Sequence, residues 1–484
     1  MLRVCFVLSV CLGGIVVVSS ARVGSVSARV ERSSVRVGLG SVRVGPASAR
    51  FGRATADYRY GVIFDAGSSG TRVHVYRWDQ KNLPTKTDDM TEMMVTGTQR
   101  VRPGISSYVT NPESVKSDLV VLLNSAASVV PMELQDSTPV YLKATAGMRL
   151  LEPDGVDAIF DQINDLFEDS SRNPFKFERG WAKVISGEEE GVFGWITVNF
   201  LTGRFDSNSD QETVGALDLG GASTQITFAP EGQIFAHLFP LSIAGNRYDL
   251  YTNSYLKFGL DQFRLQLYQL LYDQASDKNA YIDNPCDLAG FNVTEDIGEN
   301  RIAKVKGTGN ANQQCGALVR QLLVLDDTCY TEPCGIVGVY QPPVGGTVFY
   351  GTSALYFTSS GIGAIPRNGG FTSVDNIQAR TDIFCNRPWA DAEAELGDFA
   401  QNYCIGGHYI TALLGDGYEI DTAADDKVFI TNDINGVGTG WALGSMIYEL
   451  YLLNIQFNVD VSASSHVTTT PIIVLLVAAF IQLV

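Results

Sequence analysis

The sequence predicts an α/β protein whose body is built from two similar domains. Two observations carry that prediction. One loop pattern occurs twice, as Asp65-Ala66-Gly67-Ser68-Ser69-Gly70-Thr71 and as Asp218-Leu219-Gly220-Gly221-Ala222-Ser223-Thr224. Each copy follows a short apolar run, Tyr60–Phe64 or Val214–Leu217. The second observation is alternation along the body, which begins near Asp57. Strand-like runs fall at 60–64, 72–78 and 139–143. Helical periodicity fits 112–129, 153–169, 261–274, 312–325 and 441–454. Such alternation suits mixed α/β layers.

Each loop reads as a strand, an acid at its end, then a tight Gly/Ser turn. Glycine lets the backbone turn sharply and brings its N–H groups close to an anion. Serine and threonine hydroxyls add donors. A carboxylate beside a phosphate makes sense as the holder of a hydrated cation, so Asp65 and Asp218 are candidate ligands for Mg²⁺ or Ca²⁺. Two such loops facing each other would clamp a polyphosphate and its metal.

Composition narrows the class. The chain has 484 residues, 45% apolar, with 48 glycines, enough for two or three full cores. Its formal charge is −18, unevenly spread. Residues 1–53 carry eight Arg and one acid, Glu31, and the remaining 431 residues carry 27 basic and 52 acidic groups. A body this acidic argues against a nucleic-acid partner, which needs a basic footprint. An anionic substrate must arrive with its metal or meet a locally positive pocket.

The ends read as processing segments. Residues 1–21 have the plan of a signal peptide: Arg3, the apolar run Val4–Val18, then Ser19-Ser20-Ala21. An uncleaved anchor is the competing reading. Residues 22–56 are repetitive and Arg/Ser-rich, a disordered basic linker, a propeptide or a second targeting segment. At the other end, small residues at 462–465, a polar spacer and apolar Pro471–Val484 with no basic flank match a GPI-attachment signal. A transmembrane tail is the alternative. Entry into the secretory pathway makes six cysteines a disulfide set, and local pairing gives Cys286–Cys315, Cys329–Cys334 and Cys385–Cys404. A zinc site is the rival, without paired CxxC motifs to support it. Asn292-Val293-Thr294 is a glycosylation sequon.

Three further segments have the composition of active-site loops. Tyr141–Arg149 (YLKATAGMR) runs from a strand through small residues into a helix. Val184–Trp195 (VISGEEEGVFGW) sets three carboxylates between glycines. Gly440–Gly444 (GWALG) opens the last helix. A carboxylate flanked by glycines and apolar residues could deprotonate a water, as hydrolysis requires.

These five segments, in this order, resemble the conserved regions of the ecto-nucleoside triphosphate diphosphohydrolase (apyrase) family over roughly residues 58–455. The resemblance implies two actin-like, RNase-H-type α/β domains with the nucleotide in the cleft between them. It implies a first domain at 57–184 plus about 437–457, and a second at 185–436. It implies metal-dependent hydrolysis of terminal phosphates from nucleoside tri- and diphosphates, outside the cell or in a lumen. By this resemblance Asp65 and Asp218 hold the hydrated Mg²⁺ or Ca²⁺, with Thr145 near its water shell. Ser68, Ser69, Gly70 and Thr71 form one phosphate loop, and Gly220, Gly221 and Ala222 the other. Glu190 matches the catalytic base, and Ser223 and Gln225 the groups that position the attacking water. Phe357 and Phe399 fall at or near the positions that sandwich the base, where the alternative is that they are core residues. Two departures stand out: Gly70 where many cell-surface members have His, and six cysteines where ten are common. They leave subfamily and phosphate preference open. Another actin-like phosphotransferase, such as a sugar kinase or exopolyphosphatase, and a non-enzymatic nucleotide-binding or adhesion protein are the alternatives.

Overall fold

The computed structural model describes residues 58–206, 211–309, 314–325 and 327–464. The expected signal peptide, the linker at 22–56 and the tail beyond Ser464 lie outside these residues. The fold is mixed α/β, as expected, and the described residues belong to one compact unit.

The first sheet comprises β1 (Tyr58–Gly67), β2 (Gly70–Asp79), β3 (Met90–Met93), β4 (Arg100–Val101), β5 (Val140–Ala144) and β6 (Ala182–Val184), in the order β3-β2-β1-β5-β6 with β4 also beside β2. Next along the chain come β7 (Gly215–Leu219), β8 (Ser223–Phe228), β9 (Leu238–Ile243) and β10 (Asn246–Leu256). A small three-stranded sheet follows, made of β11 (Ile282–Asn284), β12 (Asn292–Asp296) and β13 (Ile302–Gly307). β14 (Phe349–Ser353), β15 (Gly370–Thr372) and β16 (Val428–Ile430) then return to β7, giving a seven-stranded sheet in the order β15-β16-β14-β7-β8-β10-β9.

The two large sheets share a plan. Antiparallel β3-β2-β1 joined to parallel β5 and β6 corresponds to antiparallel β10-β8-β7 joined to parallel β14 and β16. In each, the leading hairpin turn is the Asp-bearing loop. Central β1 is buried on both faces from Tyr60 to Phe64, which explains its unbroken apolar run.

Helices cover the sheets. Val115–Ala127 and Pro153–Glu168 pack on the first, the latter through Ile159, Phe160, Ile163, Leu166 and Phe167 at helical spacing, with Pro153 at its first turn. Leu260–Gln274, Ala354–Gly361, Val374–Cys385 and Tyr403–Ala412 share the core of the second. A third core joins the two sheets: Ile63 and Tyr141 from one, Ala216 and Leu250 from the other, around the helices Gly187–Leu201 and Trp441–Ser464. Gly444 permits this helix pair to touch, since a Cβ there would lie 1.9 Å from Phe193 O. The last helix runs through Ser464 and so includes three of the small residues read as the start of the tail signal. No helix among the described residues is long and apolar enough to cross a membrane.

All three expected disulfides are present, Cys286–Cys315, Cys329–Cys334 and Cys385–Cys404. Cys385, Cys404 and His408 form the one potential metal-ligating trio among the described residues, and its two sulfurs are already bonded to each other. Asn292 is exposed at the start of β12.

Candidate active site

The first loop is the β1–β2 turn. Gly67 pairs with Gly70 across Ser68 and Ser69, which places Asp65 on β1 opposite Arg72 on β2, 3.5 Å apart at their charges. The second loop is the β7–β8 turn, closed by Gly220 N–H donating to Ser223 O at 2.9 Å, with Asp218 opposite Gln225. The loops approach each other: a Cβ built on Gly221 would lie 2.9 Å from Ser68 Oγ. The two copies of the pattern therefore meet.

Each loop rests on a glycine from elsewhere in the chain. A Cβ on Gly104 would strike Ser68 O at 2.4 Å, and one on Gly259 would strike Ala222 N at 2.3 Å. Beyond Gly259, the N–H groups of Leu260, Asp261 and Gln262 donate to the carbonyls of Gly220 and Gly221, pinning the second loop to the start of a helix. The Asp261 carboxylate lies against the same loop, 2.6 Å from a Cβ on Gly221.

The three glutamates of the third segment fall on the first turn of helix Gly187–Leu201 and do different work. Ser186 caps the helix by accepting from Glu189 N–H at 3.1 Å, while Glu189 accepts from Ser186 N–H and pairs with Lys183. This capping box is worth about 1 kcal/mol. Successive helical residues point about 100° apart, so Glu190 turns inward where Glu189 cannot. Glu190 is 8% exposed; it accepts from Arg149 Nη2 and, at 3.3 Å, from Gln225 Nε2. Gln225 Nε2 also contacts Ser223 Oγ at 2.7 Å and Ser254 Oγ at 2.9 Å, and the Gln225 Oε1 has no partner among the described residues. Burial pushes the Glu190 carboxyl up to about 8; the Arg149 charge opposes this, and the Asp218 and Asp65 charges reinforce it.

Burial likewise raises both aspartates. Asp65 is countered by Arg72, and Asp218 by the hydroxyls of Ser353 and Thr352. Ser353 holds φ at 59°, a conformation costing a non-glycine residue roughly 1–3 kcal/mol, beside the aspartate it serves. Asp65 raises Asp218, and both raise Glu190, an arrangement that is poor alone and good around a cation. The three carboxyls do not gather tightly enough to ligate one ion together, so a metal here fits contact through water. Thr145, 5% exposed, occupies the N-cap position of the short helix Ala146–Arg149, where β5 ends beside β1. Thr71 is fully buried, and its hydroxyl has no partner among the described residues. Trp441 lines a narrow cavity with Glu190, Asp218, Gln225 and Thr352, which ties the last quoted segment to the site.

Phe357 and Phe399 are not core residues, being 53% and 60% exposed. They sit on helix Ala354–Gly361 and on the turn Gly397–Asn402. Phe357 lines a cavity of about 520 Å³ with Tyr356, Arg367, Arg387 and Tyr403, and Phe399 is not part of that lining.

Several site residues went unread in the sequence. Arg149 lay inside a quoted segment without a role. The Ser-x-x-Glu cap at 186–189 was the signal that would have split the three glutamates. Ser254, Thr352 and Ser353 lie on strands with no local motif, and only the sheet order brings them in.

Two sheets of one plan, each with an Asp-bearing Gly/Ser loop at its leading hairpin, define an actin-like α/β fold. The sequence profile of the GDA1/CD39 (nucleoside phosphatase) family matches residues 53–462, and the chain belongs to that family. It is 32% identical over 460 residues to human ectonucleoside triphosphate diphosphohydrolase 8, covering 88% of this chain and 90% of that one. It is 31% identical over 423 residues to rat ectonucleoside triphosphate diphosphohydrolase 1, covering 80% of each. Among solved structures, a nucleoside triphosphate hydrolase from Neospora caninum superposes with a TM-score of 0.62 at 16% identity, over 82% of this chain and 93% of the other, which shows a shared fold.

Proposed function

We propose that this protein is an apyrase-type hydrolase that removes terminal phosphates from nucleoside tri- and diphosphates by attack of a water deprotonated by Glu190. One observation carries the reading: a buried glutamate hydrogen-bonded to Gln225, which itself contacts Ser223 on the second loop, in a cavity that Asp218 also lines. Glu190 accepts the water's proton, and Gln225 and Ser223 hold the water. Backbone N–H groups and hydroxyls of 68–71 and 220–222 hold the phosphate oxygens. Asp65, Asp218 and Thr145 would hold a hydrated Mg²⁺ or Ca²⁺, which when bound neutralises phosphate charge. No covalent intermediate is needed, since phosphoryl transfer asks mostly for positioning and fixed charge.

Phe357 and Phe399 would stack on the base by its face, which favours broad base tolerance. The first domain is taken as 57–184 with about 437–457, the second as 185–436. The place of action is the secretory pathway and cell surface, with glycan at exposed Asn292 and a lipid or membrane tether at the tail.

The test is phosphate release from ATP, ADP, GTP, UDP and AMP, with Mg²⁺ or Ca²⁺ and with EDTA. The expected result is hydrolysis of tri- and diphosphates of every base, an intact AMP, and silence in EDTA. Rapid AMP cleavage or full activity in EDTA would overturn it. Phosphate appearing only on an added sugar would favour a kinase.

A further inference from the structure

A row of charge crosses three neighbouring strands at the first loop. Asp65 on β1 stands opposite Arg72 on β2, and Arg72 stands opposite Arg100 on β4. Directly opposed residues of antiparallel strands share a face, so Arg72 and Arg100 lie on the face that carries Asp65. Arg102, two residues beyond Arg100, joins them: a Cβ on Gly70 would lie 3.1 Å from Arg100 Nε and 3.2 Å from Arg102 Cγ. Arg100 Nη2 donates to Ser69 Oγ at 3.1 Å, and its buried Nε has no partner among the described residues. Among the described residues neither Arg100 nor Arg102 has a carboxylate within 4.0 Å. Burial and the neighbouring Arg72 and Arg102 charges lower Arg100 to about 10, which leaves it charged at neutral pH.

Three cations against one anion are out of keeping with this chain, whose formal charge is −18. Like charges packed together cost free energy unless a ligand supplies the opposite sign. The phosphate under attack must lie beside the first loop and within reach of Glu190. Asp65, where the arginine row begins, is one of the charges that Glu190 feels.

We propose that Arg72, Arg100 and Arg102 extend the first phosphate loop into an anion subsite that holds the terminal phosphate and, after cleavage, inorganic phosphate. This rests on the hydrolase reading above and adds a residue set that neither loop pattern contains. Guanidinium groups suit the task because they bind phosphate oxygens in pairs. The subsite reads phosphate and ignores the base.

The test uses the full chain and its Arg100→Gln and Arg102→Gln variants. The constants measured are KM for ATP and UTP, kcat, and inhibition of hydrolysis by added inorganic phosphate. Loss of a hydrogen bond to a charged group is worth about a tenfold to hundredfold change. The expected result is KM raised by about that factor, equally for both bases, with phosphate inhibition weakened in parallel and kcat changed less. Arg100→Lys should restore part of the loss. Arg77→Gln, an exchange outside the row, should match the wild type. Unchanged KM and unchanged phosphate inhibition in folded Arg100→Gln and Arg102→Gln would overturn the subsite. If Arg100→Gln fails to fold, the exposed Arg102 decides alone. A wild-type chain that releases no phosphate from any nucleotide would instead refute the hydrolase reading.

Discussion

The two phosphate loops are alike in backbone and opposite in what surrounds them. Both are hairpin turns after a central strand, both carry an aspartate on that strand, and both lean on a glycine borrowed from a distant segment. At the first loop the aspartate faces arginines: Arg72 at 3.5 Å, with Arg100 on Ser69. At the second it faces hydroxyls, Thr352 at 3.4 Å and Ser353, and the strand leaving it carries Ser223 and Gln225 toward Glu190. One scaffold used twice thus divides the labour. In the proposed reading, the first copy would recognise charge and the second would arrange the water. Damage to each should show in different kinetic constants.

Between the two loops, the larger effect on kcat should come from the second loop's support. Gly259→Ala drives a Cβ into the backbone at Ala222 and Ser223, which cannot yield as a flexible side chain can. A displacement of about 1 Å there should cost kcat on the order of 10²-fold. Gly104→Ala, which strikes the Ser68 and Gly67 carbonyls, should act chiefly on KM. Steady-state kinetics on both variants, with circular dichroism to confirm folding, would break the comparison if the two behaved alike.

A second effect follows from the crowded carboxyls. Burial raises Glu190 from 4.5 to about 8 in the folded chain. The folded state therefore holds that proton more tightly than the unfolded state. The stability this contributes is full below the unfolded value and is lost as pH climbs through about 8. Metal-free wild type should lose melting temperature relative to Glu190→Gln over that range, and added Mg²⁺ should return part of the loss. Parallel melting curves from pH 5 to 9 would show the carboxyl is not strained.

The smallest effect concerns the disulfides, all in the second half of the chain. Replacing fully buried Cys286 and Cys315, 29 residues apart, should cost roughly 2–4 kcal/mol on the loop-entropy scale. Replacing Cys329 and Cys334, 5 apart in an open loop, should cost less. Thermal unfolding of the two paired variants checks the order.

Much of this was legible in the sequence, because the informative signals were local. The loop pattern needs only consecutive residues, and its two copies foretold both hairpin turns. The periodic runs at 153–169 and 261–274 match helices at Pro153–Glu168 and Leu260–Gln274 within a residue. What stayed hidden depends on distance along the chain. Arg100 reaches Ser69 through strand pairing, and Ser254 and Thr352 reach the site through sheet order. Gly104 and Gly259 matter through what a Cβ would strike. The helix at 187–201 escaped for another reason: 12 of its 15 residues are buried, so it lacks the polar face that periodicity detects.

The claim at the centre is that Glu190, alone among the three consecutive glutamates, takes the proton of the attacking water. Turnover and nucleotide binding measured on the same samples of Glu190→Gln and Glu188→Gln test it directly. Glu188 is half-buried near the surface and Glu189 is committed to the helix cap. The account predicts a loss of about 10²–10⁴-fold in kcat for Glu190→Gln, with nucleotide still bound, and near-normal turnover for Glu188→Gln. Near-normal turnover in Glu190→Gln, or its loss in Glu188→Gln, would contradict it.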